Sequence, residues 1–399
     1  MSKGVRTSIE SLPGRFLGSA ITARYRLNID EESCDVVVSP DRCHIEAAWG
    51  EPDVEICTDA TTWRAMEAGR LSGLEAFAQR KLVIRGSIDR SLHFETSFER
   101  PEGGGVRYSL RDVPVGRSRV SALVAGDRHA PPLLLLHGLG ATKASWLTIV
   151  PPLARRYRVT VVDLPGFGAS SKPNGRYSAP WFADRMYDFL DEIGQERTLI
   201  AGNSMGGRIA MEMAMQRPER VDAIACLCPA AAFSRRPALQ VVRLLRPELS
   251  IVASRLPRSQ VVAGLKALFA KPTRLHHSWY EAAVDDFLSV WRSPRARVAF
   301  FKSLRNIYLD EPLGEAGFWM RLSQMQTPAL YIYGKNDTLI SHHFSHKIRQ
   351  TIPHAEVKVW SDCGHVPQIE FPDRTLRAMT TFFEGTASAS RELSAATGS

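Results

Sequence analysis

The chain has 399 residues, 44% hydrophobic and 23% charged, which excludes a disordered, collagenous or membrane-embedded polymer and suffices for two or three domains. Its net charge of +9 is uneven: residues 1–100 hold 13 Lys and Arg against 16 Asp and Glu, so the basic excess lies in the rest. Six cysteines, none in a C-x-x-C pair, exclude a disulfide scaffold and predict buried, reduced thiols.

The first residues, MSKGVRTSIESLPGRFLG, lack the apolar core of a signal peptide. No apolar run is long enough to span a bilayer. A reducing, cytoplasmic location is therefore expected. The basic excess predicts an anionic neighbour, either a membrane surface or an acidic substrate. No motif of nucleic-acid recognition accompanies it, so nucleic acid is not expected as a partner.

In chain order, ITARYRLNI, CDVVVSP, RCHIEAAW and VEICTD read as short strands. Thr58 or Asp59 is placed to cap a helix that Gly69 ends, and a second short helix is expected from Leu74 to Gln79. LVIRGSI and SLHFETSF read as two further strands. PEGGG, residues 101–105, is expected to be a linker. Beyond it RYSLRDVPV and SRVSALVAG alternate as strands, and PPLLLLHG and YRVTVVDLPG are continuously apolar, as strands buried on both faces are. SAPWFADRMYDFLDEIG is helical, with Ser178 as its cap. TLIAGNSMGG runs from strand into turn and GRIAMEMAMQ continues as helix. VDAIACLCP, PALYIYGKND and AEVKVW complete the strands. Strands alternating with helices imply a mostly parallel sheet covered on both faces. Residues 229–327 interrupt the alternation with helical sequence. Between Ala232 and Arg274 they carry nine Lys or Arg and one acid, Glu248, interleaved with Leu and Val. The tail, 386–399, is rich in Ala, Ser and Thr and is expected to lack regular structure.

Gly202-Asn203-Ser204-Met205-Gly206 is a G-x-S-x-G match lying between an apolar strand and a helix, the setting that motif requires. Such a turn lifts the Ser204 hydroxyl out of the sheet, but a hydroxyl is a weak nucleophile without a base. His365, after the strand AEVKVW, is the candidate base, and Asp337, closing PALYIYGKND, is the candidate carboxylate to orient it. The backbone N–H groups of Leu139, in His137-Gly138-Leu139-Gly140, and of Met205 are the candidate oxyanion donors. His137 reads as a structural hydrogen-bonding residue and Asp163 as a loop-fixing one. Arg208 reads as a surface or packing residue, with recognition of a substrate carboxylate as the alternative. No histidine or cysteine spacing suggests a metal site, and no organic cofactor is required.

HGLGATKASW, DLPGFGASS, GNSMGGRIA, YGKNDTLIS and GHVPQIEFP occur in the order of the landmarks of the α/β-hydrolase family, which residues 106–385 resemble. The likeness is to its monoacylglycerol-lipase-like and carboxylesterase branch. GNSMGG also occurs in the carbon–carbon-bond hydrolases of ring-fission products, which usually place a Trp after the histidine, where this chain has Val366. The resemblance implies an α/β fold with residues 229–327 as a helical cap over Ser204. Residues 1–100, above all AGRLSGLEAF and LVIRGSI, resemble the sterol carrier protein type 2 family, a small α+β lipid-binding domain. The segment before Ile21 is short for that family's leading helix. Together the two resemblances imply a serine hydrolase of carboxylic esters, expected to be those of lipids. A separate lipid module would present substrate to it by tethering, and the basic cap would lie against membrane. Carbon–carbon hydrolysis, thioester hydrolysis or acyl transfer on the same residues, and a non-catalytic lipid carrier, are the alternatives.

Overall fold

The computed structural model of the protein describes residues 3–231, 246–251 and 256–397. The N-terminal unit is a five-stranded sheet: β1 (Ala23–Ile29), β2 (Glu32–Val38), β3 (Cys43–Ala47), β4 (Val54–Thr58) and β5 (Leu82–Gly86), in the order β3-β2-β1-β4-β5. Alternate residues of β1 are buried, from Ala23 to Ile29, because the sheet turns one face to its helices. Asp59 caps the helix Ala60–Glu67 by accepting from Thr62 N, and Ser72 with Glu75 forms a capping box on Gly73–Ala78.

Two expectations for this unit are overturned. SLHFETSF is not a strand: all but its last two residues lie in the helix Ile88–Thr96, capped by Ser87. Ile88 and Leu92 fall one turn apart and are buried with Phe94, so its apolar residues meet the sheet at helical spacing as well as at strand spacing. A leading helix, Lys3–Glu10, does precede Ile21, and it buries Val5 and Ile9.

The second sheet has eight strands: β6 (Tyr108–Val115), β7 (Ser118–Ala125), β8 (Pro132–Leu136), β9 (Arg158–Val162), β10 (Thr198–Asn203), β11 (Val221–Leu227), β12 (Ala329–Gly334) and β13 (Glu356–Trp360). Their order is β13-β12-β11-β10-β8-β9-β7-β6. β6, β7 and β9 pair antiparallel in succession, and every pairing from β9 to β13 is parallel. Helices Ala179–Glu192 and Met205–Gln216 are buried along one side. The expected α/β architecture is thus present. Between β11 and β12 the described part of the cap holds helices Arg258–Lys266, His277–Trp291, Pro294–Tyr308 and Phe318–Ser323. Much of the basic stretch, including Arg235, Arg236, Arg243 and Arg255, lies outside the described residues. Within them Arg258 pairs with Glu281 and Asp285, and Arg274 with Asp362 and Glu370. The tail is not irregular from Thr386: helix Pro372–Thr397 runs on through it. Its alanines are strong helix formers, and no glycine or proline follows Gly385 before Thr397 to stop the helix.

The two sheets are not separate modules on a swinging linker. One hydrophobic core runs from Val5, Trp63 and Phe94 to Leu135, Trp146 and Phe383. Gly105 N donates to Gly69 O at 3.0 Å, and a Cβ on Gly103 would meet that carbonyl at 2.2 Å, so PEGGG, though exposed over residues 101–104, is pinned against Gly69. Gly86 N donates to Asp285 Oδ2 of the cap at 3.1 Å. Lys143, 1% exposed, bonds Asp163 at 2.7 Å and also Asp89 of the N-terminal unit. Burial alone would lower the Lys143 pKa, but the Asp163 and Asp89 carboxylates outweigh it and hold the ammonium charged. No described helix is long and apolar enough to cross a membrane.

Candidate active site

Ser204 stands between β10 and helix Met205–Gln216 at φ 54°, a conformation that costs a non-glycine residue free energy. Its neighbours make it possible. A Cβ on Gly202 would meet Gly206 C at 2.3 Å, and one on Gly206 would meet Leu136 O at 2.1 Å. Only glycine at both positions lets the turn close against itself and against β8. Ser204 N donates to Leu227 O at 2.9 Å, which holds the turn onto β11.

The histidine and the acid arrive from the ends of two other strands. His365 Nδ1 donates to Asp337 Oδ2 at 2.7 Å, with the Asp337 side chain fully buried. Asp337 Oδ1 accepts from Leu339 N and Ile340 N, both at 2.8 Å, so the carboxylate is aimed by its own loop. Because a carboxylate only accepts, the proton sits on Nδ1 and the lone pair on Nε2. Ser204 Oγ makes no hydrogen bond among the described residues, so the serine–histidine contact is not closed in this state. Such contacts commonly tighten only with substrate in place.

Two residues to which the sequence analysis gave no role, Asn203 and Glu370, hold the arrangement. Asn203, the polar end of a buried strand, donates to Leu227 O and to His365 O, both at 3.0 Å, and so ties the histidine loop to the turn. Glu370 accepts from Gly364 N at 2.7 Å, Lys271 N at 3.1 Å and Arg274 at 3.2 Å. It therefore fastens the histidine loop to the cap. The signal for both was a polar residue inside an apolar run. Cys228 brings its Sγ within 4.8 Å of Asp337 and His365 ligand atoms. Burial pushes its thiol far up, and the His365–Asp337 pair already occupies the two other groups, so the trio reads as a buried neutral thiol beside that pair.

Gly138 brings the candidate oxyanion segment against the serine: a Cβ there would lie 3.3 Å from Ser204 Cβ. Among the described residues nothing accepts from Leu139 N or Met205 N, so both N–H groups remain available. His137 is fully buried and uses both ring nitrogens. Leu164 N donates to Nε2 at 3.0 Å, which leaves Nδ1 to donate to Gly138 O at 2.8 Å. Burial lowers its pKa, in keeping with a neutral ring. Asp163 accepts from Lys143 N at 2.7 Å and Ala169 N at 2.9 Å, the loop-fixing part read for it. Arg208 is not at the surface. It is fully buried, lies 3.7 Å from the Phe318 ring centroid and pairs with Asp310, a packing and ion-pair role.

Beside this cluster lies a mostly apolar cavity of about 160 Å³ bounded by Leu139, Asn203, Val366 and the cap residues Leu268 and Phe287. A cleft of about 990 Å³ at the edge of β6 is lined by charged residues and includes none of Ser204, Asp337 and His365.

Residues 131–372 match the model of the alpha/beta hydrolase fold, and residues 17–99 that of the SCP-2 sterol transfer family. The chain is 29% identical to a pimeloyl-[acyl-carrier protein] methyl ester esterase of Aeromonas hydrophila, over 63% of this chain and 95% of that one. It is 26% identical to a 2-hydroxymuconate semialdehyde hydrolase of Pseudomonas sp., over 65% of this chain and 90% of the other. Among solved structures it is similar to a bacterial membrane phospholipase A, with 29% identity, a TM-score of 0.60, and coverage of 70% of this chain and 87% of that one.

Proposed function

The chain belongs to the alpha/beta hydrolase fold family, and on that premise we propose a serine esterase of lipid carboxylic esters, with Ser204 as nucleophile, His365 as general base and Asp337 as its orienting carboxylate. His365 Nε2 takes the Ser204 proton as Oγ attacks the ester carbonyl, and the N–H groups of Leu139 and Met205 receive the oxyanion. Collapse of the tetrahedral intermediate breaks the bond to the alcohol, which leaves with the proton held on His365. Water, deprotonated by the same imidazole, then releases the acid and restores Ser204.

The observation that carries this reading is the buried 2.7 Å His365–Asp337 pair on a loop that Asn203 ties to the Ser204 turn. Three features support a lipid acyl group: the mostly apolar cavity beside the turn, the SCP-2 match and the likeness to a phospholipase and to a pimeloyl-[acyl-carrier protein] methyl ester esterase. The test is a series of p-nitrophenyl and monoacylglycerol esters from acetate to palmitate, with Ser204→Ala in parallel. Turnover is expected to rise with chain length and to fall by at least about 10⁴-fold in Ser204→Ala. Equal turnover by the variant would remove Ser204 from the mechanism.

The similarity to a semialdehyde hydrolase favours a second reading, hydrolysis of a carbon–carbon bond on the same three residues. Turnover of a ring-fission dienoate, with no ester cleaved, would select it.

A further inference from the structure

The cavity beside Ser204 does not end inside the hydrolase domain. Its far wall is Phe77 and Ile88, both from the N-terminal domain. Phe77 also lines a second space, of about 320 Å³, together with Leu82 and Ile84 of β5 and the cap residues Trp279 and Ala282. A third, of about 40 Å³, is lined mostly by the N-terminal domain, Phe77 and Ile88 among them, with Tyr108 and Leu147 of the hydrolase domain closing it. All three spaces therefore border Phe77, and the first two also share Trp279 and Ala282.

We propose that these spaces form one passage, and that the long acyl chain of an ester bound at Ser204 runs along it, between cap and N-terminal domain, over Phe77. The inference rests on the esterase reading above and adds the chain's path and the domain that holds its end. Size supports it. Sites that enclose drug-sized ligands have roughly 300–1,000 Å³, and the cavity beside Ser204 has about 160 Å³. That cavity alone holds a short acyl group, and among the described residues the space past Phe77, about 320 Å³, gives room for a longer one. Chemistry agrees, because in the first space Thr142 and Asp286 are bonded to each other at 2.8 Å and most other lining side chains are aliphatic or aromatic, while the second offers Leu82, Ile84 and Trp279 with the polar Arg80, His276 and Ser278 beside them. Rigidity agrees as well. Asp89, on the helix that begins with Ile88, is anchored to buried Lys143, and Gly86 N is bonded to Asp285 on the helix that carries Ala282. The N-terminal domain thus forms part of the acyl site and is not a tethered carrier.

A long-chain alkyl fluorophosphonate with a terminal diazirine tests the path in the intact chain. The phosphonate anchors on Ser204, light fixes the far end, and peptide mass mapping locates it. The expected crosslinks of the long probe are to segments containing Phe77, Ile88 or Leu82, while a short analogue marks Leu139–Ser145. A long probe that anchors on Ser204 but crosslinks only within residues 106–397 overturns the passage and leaves the esterase reading standing. Failure to anchor on Ser204 overturns both. As a second measurement, Ala282→Phe narrows the junction. The ratio of kcat/KM for palmitate over acetate esters is expected to fall about tenfold or more. An unchanged ratio in a variant with wild-type Tm also overturns the passage.

Discussion

His137 and Asn203 react with nothing, yet each sets the position of a group that would. The imidazole of His137 holds Gly138 O while Leu164 N caps its other nitrogen, so the oxyanion segment has one conformation. Asn203 does the same for the histidine loop. Asp286 has a cost that pH can reveal. Burial pushes its carboxyl up to about 6, with the nearby Asp163 and Asp89 charges adding to this and the Thr142 hydrogen bond and Lys143 opposing it. An acid with a raised folded pKa keeps its proton longer in the folded state, so the unfolded chain ionises first. This group's contribution to stability therefore falls as pH rises from about 4 to about 6 and then stays low. Asp286→Asn removes the ionisation and can still accept from Thr142. It is expected to gain stability over wild type progressively across that window, to about 3 kcal/mol at pH 8. Denaturant unfolding of both proteins from pH 5 to 8 measures the difference, and a pH-independent difference would refute the assignment.

At the scale of elements, local signals decided most of the outcome and failed where two periods coincide. Asp59, Ser72 and Ser178 cap helices because their side chains accept backbone N–H bonds at helix starts. SLHFETSF alternates apolar and polar residues and reads as strand, but with Ile88 before it the same residues also show helical spacing. Ser87 as a cap and the packing of Ile88 and Leu92 on the sheet settle it. The turn at Ser204 depends on contact between elements. Gly206→Ala would place a methyl 2.1 Å from Leu136 O, backbone that cannot yield. It is expected to lose at least about 2 kcal/mol of stability, read from the urea midpoint, together with fluorophosphonate labelling. A variant with wild-type midpoint and labelling would mean that the helix can draw back from β8.

At the scale of the molecule, the two sheets fold around a shared core, and of the ion pairs that join them the one on Lys143 is the most buried. Lys143 has carboxylates from both sides, one of them the fully buried Asp163. Lys143→Met leaves that charge uncompensated and is expected to cost about 3–5 kcal/mol. Asp89→Asn should cost less, because its side chain is 27% exposed. Chemical denaturation of the two variants compares them, and equal small losses would mean that the pair does not join the domains. The same packing implies that removing residues 1–100 uncovers core, so a truncated chain would not report on lipid delivery alone.

The sequence by itself determined the α/β character of residues 106–385, because apolar runs, turn residues and the G-x-S-x-G setting are local patterns that physical chemistry reads directly, while the N-terminal domain was legible through its resemblance to a family. It also placed Ser204, Asp337 and His365 at strand ends in the right order, since strand–loop boundaries are marked by the end of apolar character. The tertiary structure alone decided that His365 meets Asp337, that Asn203 and Glu370 hold the histidine loop, and that Arg208 is buried against Phe318 and Asp310. It also decided that a Gly-rich segment is packed and that Phe77 faces the hydrolase cavity. Most of those contacts join residues from 28 to 162 positions apart, and no local period records which distant surface a side chain will meet.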